Sequence, residues 1–279
     1  MSDASVLIPA DNIDRAAPGP RYTLLLSTDP AHIEAAQRLR HDVFTAEPGF
    51  ALNPARPGFD VGLDADHFDQ FCDHLLVRED ISGELVGCYR MLPPPGAIAA
   101  GGLYTATEFD VRALDPLRPS LVEMGRAVVR TEHRHGGVVL LMWAGILAYL
   151  DRYGYEHVTG CVSVPTHPSR QTPGSLLRGV RDAVRRRHSA PTELTVRPYR
   201  PVVIDGRSLD EIEPPARLTL PALMRGYLRL GAQVCGEPAH DPDFGVGDFP
   251  ALLDKSRVDV RYLLRLRSVS QAADLAAGQ

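Results

Sequence analysis

The sequence predicts an α/β fold: a mixed, mostly antiparallel sheet with a central βαβ unit, helices on both faces and a C-terminal extension. Two observations carry this. Residues 121–129 read as a strand, followed by a turn at Gly136-Gly137, a strongly apolar helix and a further strand at 157–162. That order marks two parallel strands joined by a crossover helix. Earlier, residues 74–78 and 85–92 read as strands around a Ser82-Gly83 turn, which suits an antiparallel pair.

The elements follow in chain order. Residues 1–20 are polar around Pro18-Gly19-Pro20 and read as a flexible tail. Residues 22–27 read as a strand. Asp29-Pro30 supplies an N-cap and a proline at the first helical position. Ile33, Ala36, Leu39 and Val43 then recur at helical spacing to about Phe44. Residues 45–72 form a long loop rich in Pro, Gly and Asp, a length that marks either function or lack of order. Pro93-Pro94-Pro95-Gly96 ends the second strand of the pair. In the helix after Gly137, the residues Val139, Leu140, Trp143, Ile146, Leu147 and Leu150 share a face, and Tyr153-Gly154 closes it.

The second half is less regular. Residues 175–188 read as a helix ending in Arg185-Arg186-Arg187. Residues 194–203 suggest one or two strands broken by Pro198 and Pro201. Residues 220–230 suggest a helix, 248–253 the start of another, and 258–266 a strand.

Composition narrows the function classes. The chain has 279 residues, 44% hydrophobic and 23% charged, which allows a sizeable core. A net charge of -5 argues against nucleic acid as a partner, since such proteins favour basic surfaces. Cys72, Cys88, Cys161 and Cys235 are widely spaced with no C-x-x-C pair. A disulfide framework is not expected, and a reducing, cytoplasmic setting fits. The apolar run Val6–Ala10 is too short for a secretory leader and lacks a basic start. No stretch approaches the ~20 apolar residues of a membrane span.

Most catalytic signatures are absent. There is no G-x-S-x-G elbow and no Walker A loop. Gly245-Val246-Gly247 is followed by Pro250 and not by a third glycine. His67, Cys72 and His74 lack regular zinc spacing. Asp64, Asp66 and Asp69 lack the glycine and distal Glu of a calcium loop. No metal is expected.

Four segments are more specific together than singly. They are Leu39-Arg40-His41-Asp42-Val43-Phe44, Asp66-His67-Phe68-Asp69, Val86-Gly87-Cys88-Tyr89-Arg90-Met91-Leu92, and Glu123-Met124-Gly125-Arg126. In order and spacing the sequence resembles the acyl-homoserine-lactone synthases and N-acyl amino acid synthases of the GNAT-like superfamily. It is more similar still to the ornithine N-acyltransferases of ornithine-lipid synthesis. The features shared with those enzymes include Cys72-Asp73-His74-Leu75-Leu76-Val77, the Glu-x-Gly-Arg core, Trp143-x-Gly145 and Gly160-Cys161. Gly226–Ala232 and Asp241-Pro242-Asp243-Phe244 extend the likeness over roughly residues 22–265, more weakly at 165–215. Ala127-Val128-Val129 and Val162 depart from the family pattern, which bears on acceptor and acyl chain.

The resemblance implies a GNAT-like core over 21–164 and a C-terminal part, 165–279, of the same catalytic unit. It implies that Arg40, Phe44, Asp66, Asp69, Arg90, Glu123 and Arg126 form the substrate and catalytic region. It also implies transfer of a (3-hydroxy)acyl chain from an acyl carrier protein thioester to an amino acid, L-ornithine first. Acyl-CoA as donor with another acceptor, or a homoserine-lactone product, is the alternative. A non-catalytic lipid- or carrier-binding protein is a third reading. No permanently bound cofactor is expected, only acyl-ACP or acyl-CoA as co-substrate. An amphiphilic product is compatible with peripheral membrane contact.

The chemistry assigns roles. A thioester-to-amine transfer needs a base for the amine and donors for the oxyanion. Glu123 is the candidate base, and backbone N–H groups of 127–129 the candidate donors. Val128, Arg134, Gly136 and Gly137 fall on the donor side, where a helix N-terminus could hold phosphate. Asp66 and Asp69 could bind the acceptor's ammonium groups. Arg40 and Arg90 could bind its carboxylate or order those acids by bidentate pairing. Arg181, Arg185, Arg186 and Arg187 could attract an acidic carrier. Residues three apart on a regular strand face opposite ways. Glu123 and Arg126 therefore share a face only if a β-bulge falls between Met124 and Val128.

Overall fold

The computed structural model describes residues 4–8, 21–55, 57–134, 137–168 and 171–258. Among these, nine strands form one sheet. In chain order they are β1 (Ala4–Ile8), β2 (Tyr22–Ser27), β3 (Asp73–Glu79), β4 (Leu85–Leu92), β5 (Leu121–Val129), β6 (His157–Pro165), β7 (Gln233–Val234), β8 (Ala239–Asp241) and β9 (Val246–Asp254). The helices are α1 (Pro30–Ala46), α2 (Pro94–Ala99), α3 (Gly137–Tyr153), α4 (Ser175–Arg187) and α5 (Ala222–Leu230). The sheet order is β1-β2-β3-β4-β5-β6-β9-β7, with β8 also on β9. Only β5 and β6 run parallel, through α3.

Alternation along the strands explains the two helix layers. Leu24, Leu26, Leu75 and Val77 join the core beneath α3, while Leu25 and Leu76 pack with Ala36, Leu39 and Val43 of α1. Each such fully buried aliphatic side chain contributes roughly 1.5–3 kcal/mol. Asp29 caps α1 by accepting from the Ala31 N–H at 2.7 Å, as the Asp-Pro signal predicts. Gly145 lets α3 lie close on β2, because a Cβ there would collide with Leu24.

Three expectations need correction. Residues 4–8, placed in a flexible tail, form β1 and pair antiparallel with β2. Residues 248–253, read as the start of a helix, lie inside β9, which pairs with β6 along its whole length. The 194–203 region contributes only two-residue strand pieces, at Arg197–Pro198 and Val203–Ile204. The strand expected at 258–266 lies, beyond Val258, outside the described residues.

The bulge is present. Arg90 faces Gly125 and Cys88 faces Val128, so Arg126 and Ala127 together oppose Tyr89. The distorted residue is Arg126, not the glycine: its φ is 55°. That left-handed conformation costs a non-glycine residue on the order of 1–3 kcal/mol. Just before the bulge the ladder to β6 ends, since β5 and β6 pair only over Leu121–Glu123 and His157–Thr159. At that point Gly160 passes so close to the Met124 carbonyl that no Cβ would fit. Beyond it a cavity of about 790 Å³ lies between the two strands, lined by Gly125–Val129 on one side and Cys161, Ser163 and Pro165 on the other.

Candidate active site

The cavity is polar at one end and apolar at the other. At the polar end the long loop delivers Asp64, Asp66 and Asp69 to three arginines from three elements. Arg40 of α1 donates to Asp64 at 2.9 Å and to Asp69 at 2.9 Å. Arg90 of β4 reaches Asp66 at 2.6 Å and Asp69 at 3.1 Å. Arg126 of β5 reaches Asp64 at 3.3 Å and Asp66 at 3.1 Å. Three guanidiniums thus balance three carboxylates. Burial alone would raise Asp66 and Asp69, but Arg90 with Arg126, and Arg40 with Arg90, hold them below the usual carboxylate range. These acids are therefore engaged by the protein, and none of the three lines the cavity. Arg40 and Arg90 are both paired with these acids.

Arg126 projects from the bulge between two aromatic rings, 4.7 Å from the Tyr104 centroid and 5.0 Å from that of Phe244. Phe44, at the end of α1, stacks on Phe50 and meets Phe244 edge-on. These contacts and the carboxylates offset the backbone strain at Arg126.

Glu123 lies in the same cavity but does not pair with Arg126. One carboxylate oxygen accepts the Tyr104 N–H at 2.5 Å, and the other accepts the Thr105 N–H at 2.7 Å and the Thr105 hydroxyl. Burial pushes its pKa up against the lowering effect of these donors. A carboxylate held rigidly, with raised basicity, suits proton abstraction.

Sequence reasoning missed a second acidic group. Glu108, Asp241 and Asp248 are all buried. Asp241 and Asp248 line the cavity with Cys161 and Ser163. Asp248 accepts from the Ser163 hydroxyl at 2.6 Å. Among the described residues no arginine or lysine pairs with any of the three. Burial, then mutual repulsion, pushes Glu108 and Asp248 up. Glu108, Cys161 and Asp248 bring ligand-type atoms within 4.8 Å of one another. Burial holds the Cys161 thiol well above its ordinary value. The one hint in the sequence is Asp248 itself, a charge inside an apolar run, which must have a partner or a task.

On the donor side, Val128 lines the cavity. Arg134 donates to the Val129 carbonyl at 2.9 Å and pairs with Glu47 at 2.6 Å. Gly137 opens α3, and Gly136 lies outside the described residues. The apolar end is lined by Val139, Met142 and Trp143 of α3, Leu176 of α4, and Leu220 and Leu223 at the start of α5. On the basic helix α4, Arg181 pairs with Asp182, Asp210 and Glu237, and Arg185 with Glu237, while Arg186 and Arg187 are exposed.

A sheet whose parallel pair parts at a bulge, opening on a buried carboxylate and an apolar tunnel, suits an acyltransferase, and the family comparisons give the same class. A family model described as acetyltransferase (GNAT) domain matches residues 39–144. The chain is 34% identical over 248 residues to the L-ornithine N(alpha)-acyltransferase of Brucella abortus, covering 85% of this chain and 86% of that one. It is 32% identical to the protein of the same name from Rhizobium meliloti, covering 85% and 81%. The chain belongs to this L-ornithine N(alpha)-acyltransferase family. Among solved structures it superimposes on FeeM, an N-acyl amino acid synthase from uncultured soil microbes, at TM-score 0.49 and 12% identity, covering 88% and 97%. It also superimposes on BjaI, a CoA-dependent acyl-homoserine lactone synthase, at TM-score 0.46 and 16% identity, covering 87% and 83%.

Proposed function

We propose that the protein moves a (3-hydroxy)acyl chain from an acyl carrier protein thioester to the α-amine of L-ornithine, giving a lyso-ornithine-type lipid. Glu123, directly or through a water, takes a proton from the acceptor ammonium. The amine then attacks the thioester carbonyl, and N–H groups of 127–129 hold the oxyanion. The tetrahedral intermediate collapses: the C–N bond stays, the C–S bond breaks, and the departing sulfur takes the second proton lost by the attacking nitrogen. No covalent enzyme intermediate is needed.

The observation that carries the acceptor is the group Glu108, Asp241 and Asp248, buried beside the cavity and, among the described residues, paired to no basic side chain. Ornithine has a second ammonium that the chemistry does not consume, and this group suits it. Asp66 and Asp69, already shared among three arginines, suit it less. Arg126, the one guanidinium of that cluster set in the bulge, is the candidate for the acceptor's carboxylate. The donor would enter along β5 past Arg134 and lay its chain against Trp143 and Leu220.

Four free cysteines fit a reducing, cytoplasmic setting. Among the described residues no helix is long and apolar enough to cross a membrane, so contact with lipid would be peripheral and made through the product.

The test is turnover of acyl carrier protein and CoA thioesters with an amino-acid panel, following free thiol and acylated product. Ornithine should be accepted far better than norvaline, its analogue without the δ-ammonium. Equal rates with norvaline would remove the acidic group from acceptor recognition. CoA thioesters outperforming carrier thioesters would replace the donor.

A further inference from the structure

The cavity holds one polar pair for which the reaction above has no use. Tyr89 of β4 and Tyr227 of α5 are both more than nine-tenths buried. Their hydroxyl oxygens lie 2.5 Å apart. Tyr89 lines the cavity, and Trp143 holds the Tyr227 ring edge-on at 5.0 Å.

Two phenols carry two protons and can share only one of them between their oxygens. Neither oxygen has another partner among the described residues. One buried O–H is therefore left without an acceptor, a state that native interiors avoid unless a ligand or water completes it. Ionisation does not relieve it, because burial pushes both hydroxyls up.

Register fixes where this proton lies. Tyr89 is the residue opposite the Arg126–Ala127 bulge. Its neighbour Arg90 points to the acidic loop, so Tyr89 emerges on the other face of the sheet, toward α3. The hydroxyl pair thus sits below the bulge, at the mouth of the apolar arm. A chain whose thioester carbonyl rests on the bulge amides would pass it within its first few carbons.

We propose that the Tyr89–Tyr227 pair reads a hydroxyl group near the thioester end of the acyl chain, at C3 before other positions. The spare phenol proton would donate to the substituent's oxygen, and a phenol oxygen would accept the substituent's own proton. This assignment rests on the acyl-transfer reading of the site and adds the residues that select its donor. An unsubstituted chain leaves the phenol proton unpaired, and sites built around a substrate hydroxyl discriminate against analogues without it.

The experiment compares kcat/KM for 3-hydroxyacyl and unsubstituted acyl carrier thioesters of equal length, with ornithine as acceptor. The wild type should favour the 3-hydroxy donor by about tenfold or more. Tyr89→Phe and Tyr227→Phe should each bring the ratio toward one. Tyr227 is the cleaner variant, since it packs behind Trp143 and does not itself line the cavity. A wild-type ratio near one overturns the proposal without recourse to any variant. So does a preference that survives both phenylalanines. A wild type inactive with every donor instead overturns the acyl-transfer reading on which the proposal stands.

Discussion

At the scale of single residues, two sets of carboxylates are sorted by what surrounds them. Asp64, Asp66 and Asp69 meet guanidiniums, which hold Asp66 and Asp69 low. Glu123 is pushed up by burial against the donors of Tyr104 and Thr105, and Glu108 and Asp248 by burial and by neighbouring carboxylates. Asp69→Asn should therefore destabilise the fold by about 3–5 kcal/mol, because it strands buried guanidiniums; denaturant unfolding measures this. The sign of the pH effect follows. Acids whose pKa is depressed on folding stabilise above the unfolded value, near 3.9, and lose that contribution as pH falls below it. Acid unfolding of Asp69→Asn should accordingly be shallower than that of the wild type. Glu123 predicts the opposite kind of limb, in activity. As a base with a raised pKa, it should make kcat/KM climb with pH through a value above that of an ordinary glutamate. Glu123→Gln should remove that limb and lower kcat by roughly 10²–10⁴. An unchanged rate would remove Glu123 from the role of base.

At the scale of elements, the parting of β5 and β6 makes the cavity, and Gly160 sets where it begins. Gly160→Ala would drive a methyl group into the Met124 carbonyl. It should cost about 1–3 kcal/mol and depress turnover by shifting Glu123; thermal unfolding and steady-state kinetics read both. Much of this frame was legible. Asp29-Pro30 announced α1, the glycine turn announced α3, and the need for Glu123 and Arg126 to share a face announced the bulge. What failed was β9. Asp248-Phe249-Pro250 imitates a helix start, and a strand buried on both faces shows no alternation to contradict it. Pro250 is tolerated there for a local reason. Its carbonyl accepts from the Cys235 N–H, on the side where β7 and β8 leave a gap, so its missing N–H breaks no ladder bond. Glu108, Asp241 and Asp248 were illegible as a group because only the β8–β9 pairing and the 104–108 turn bring them together.

At the scale of the whole molecule, the stretch after residue 165 is part of the same sheet. β9 covers β6 from Pro165 to His157, and α5 supplies Tyr227 and part of the tunnel. A chain truncated after residue 164 should fail to give soluble, folded protein, because β6 would be left as a bare edge; expression with circular dichroism checks this. Folded, soluble 1–164 would make the core an independent domain.

The β6–β9 pairing also orders events on the ribosome. Partners such as Val246 and Pro165 are separated by roughly 80 residues or more, a long loop to close. Until that length of chain has emerged, β6 waits with hydrogen-bonding groups unpaired and the cavity lacks a wall. The nascent polypeptide therefore passes through a sticky, inactive stage whose duration is set by translation speed. Slow codons or a scarce chaperone in that window should lower the yield of active enzyme without altering a single residue of the finished site.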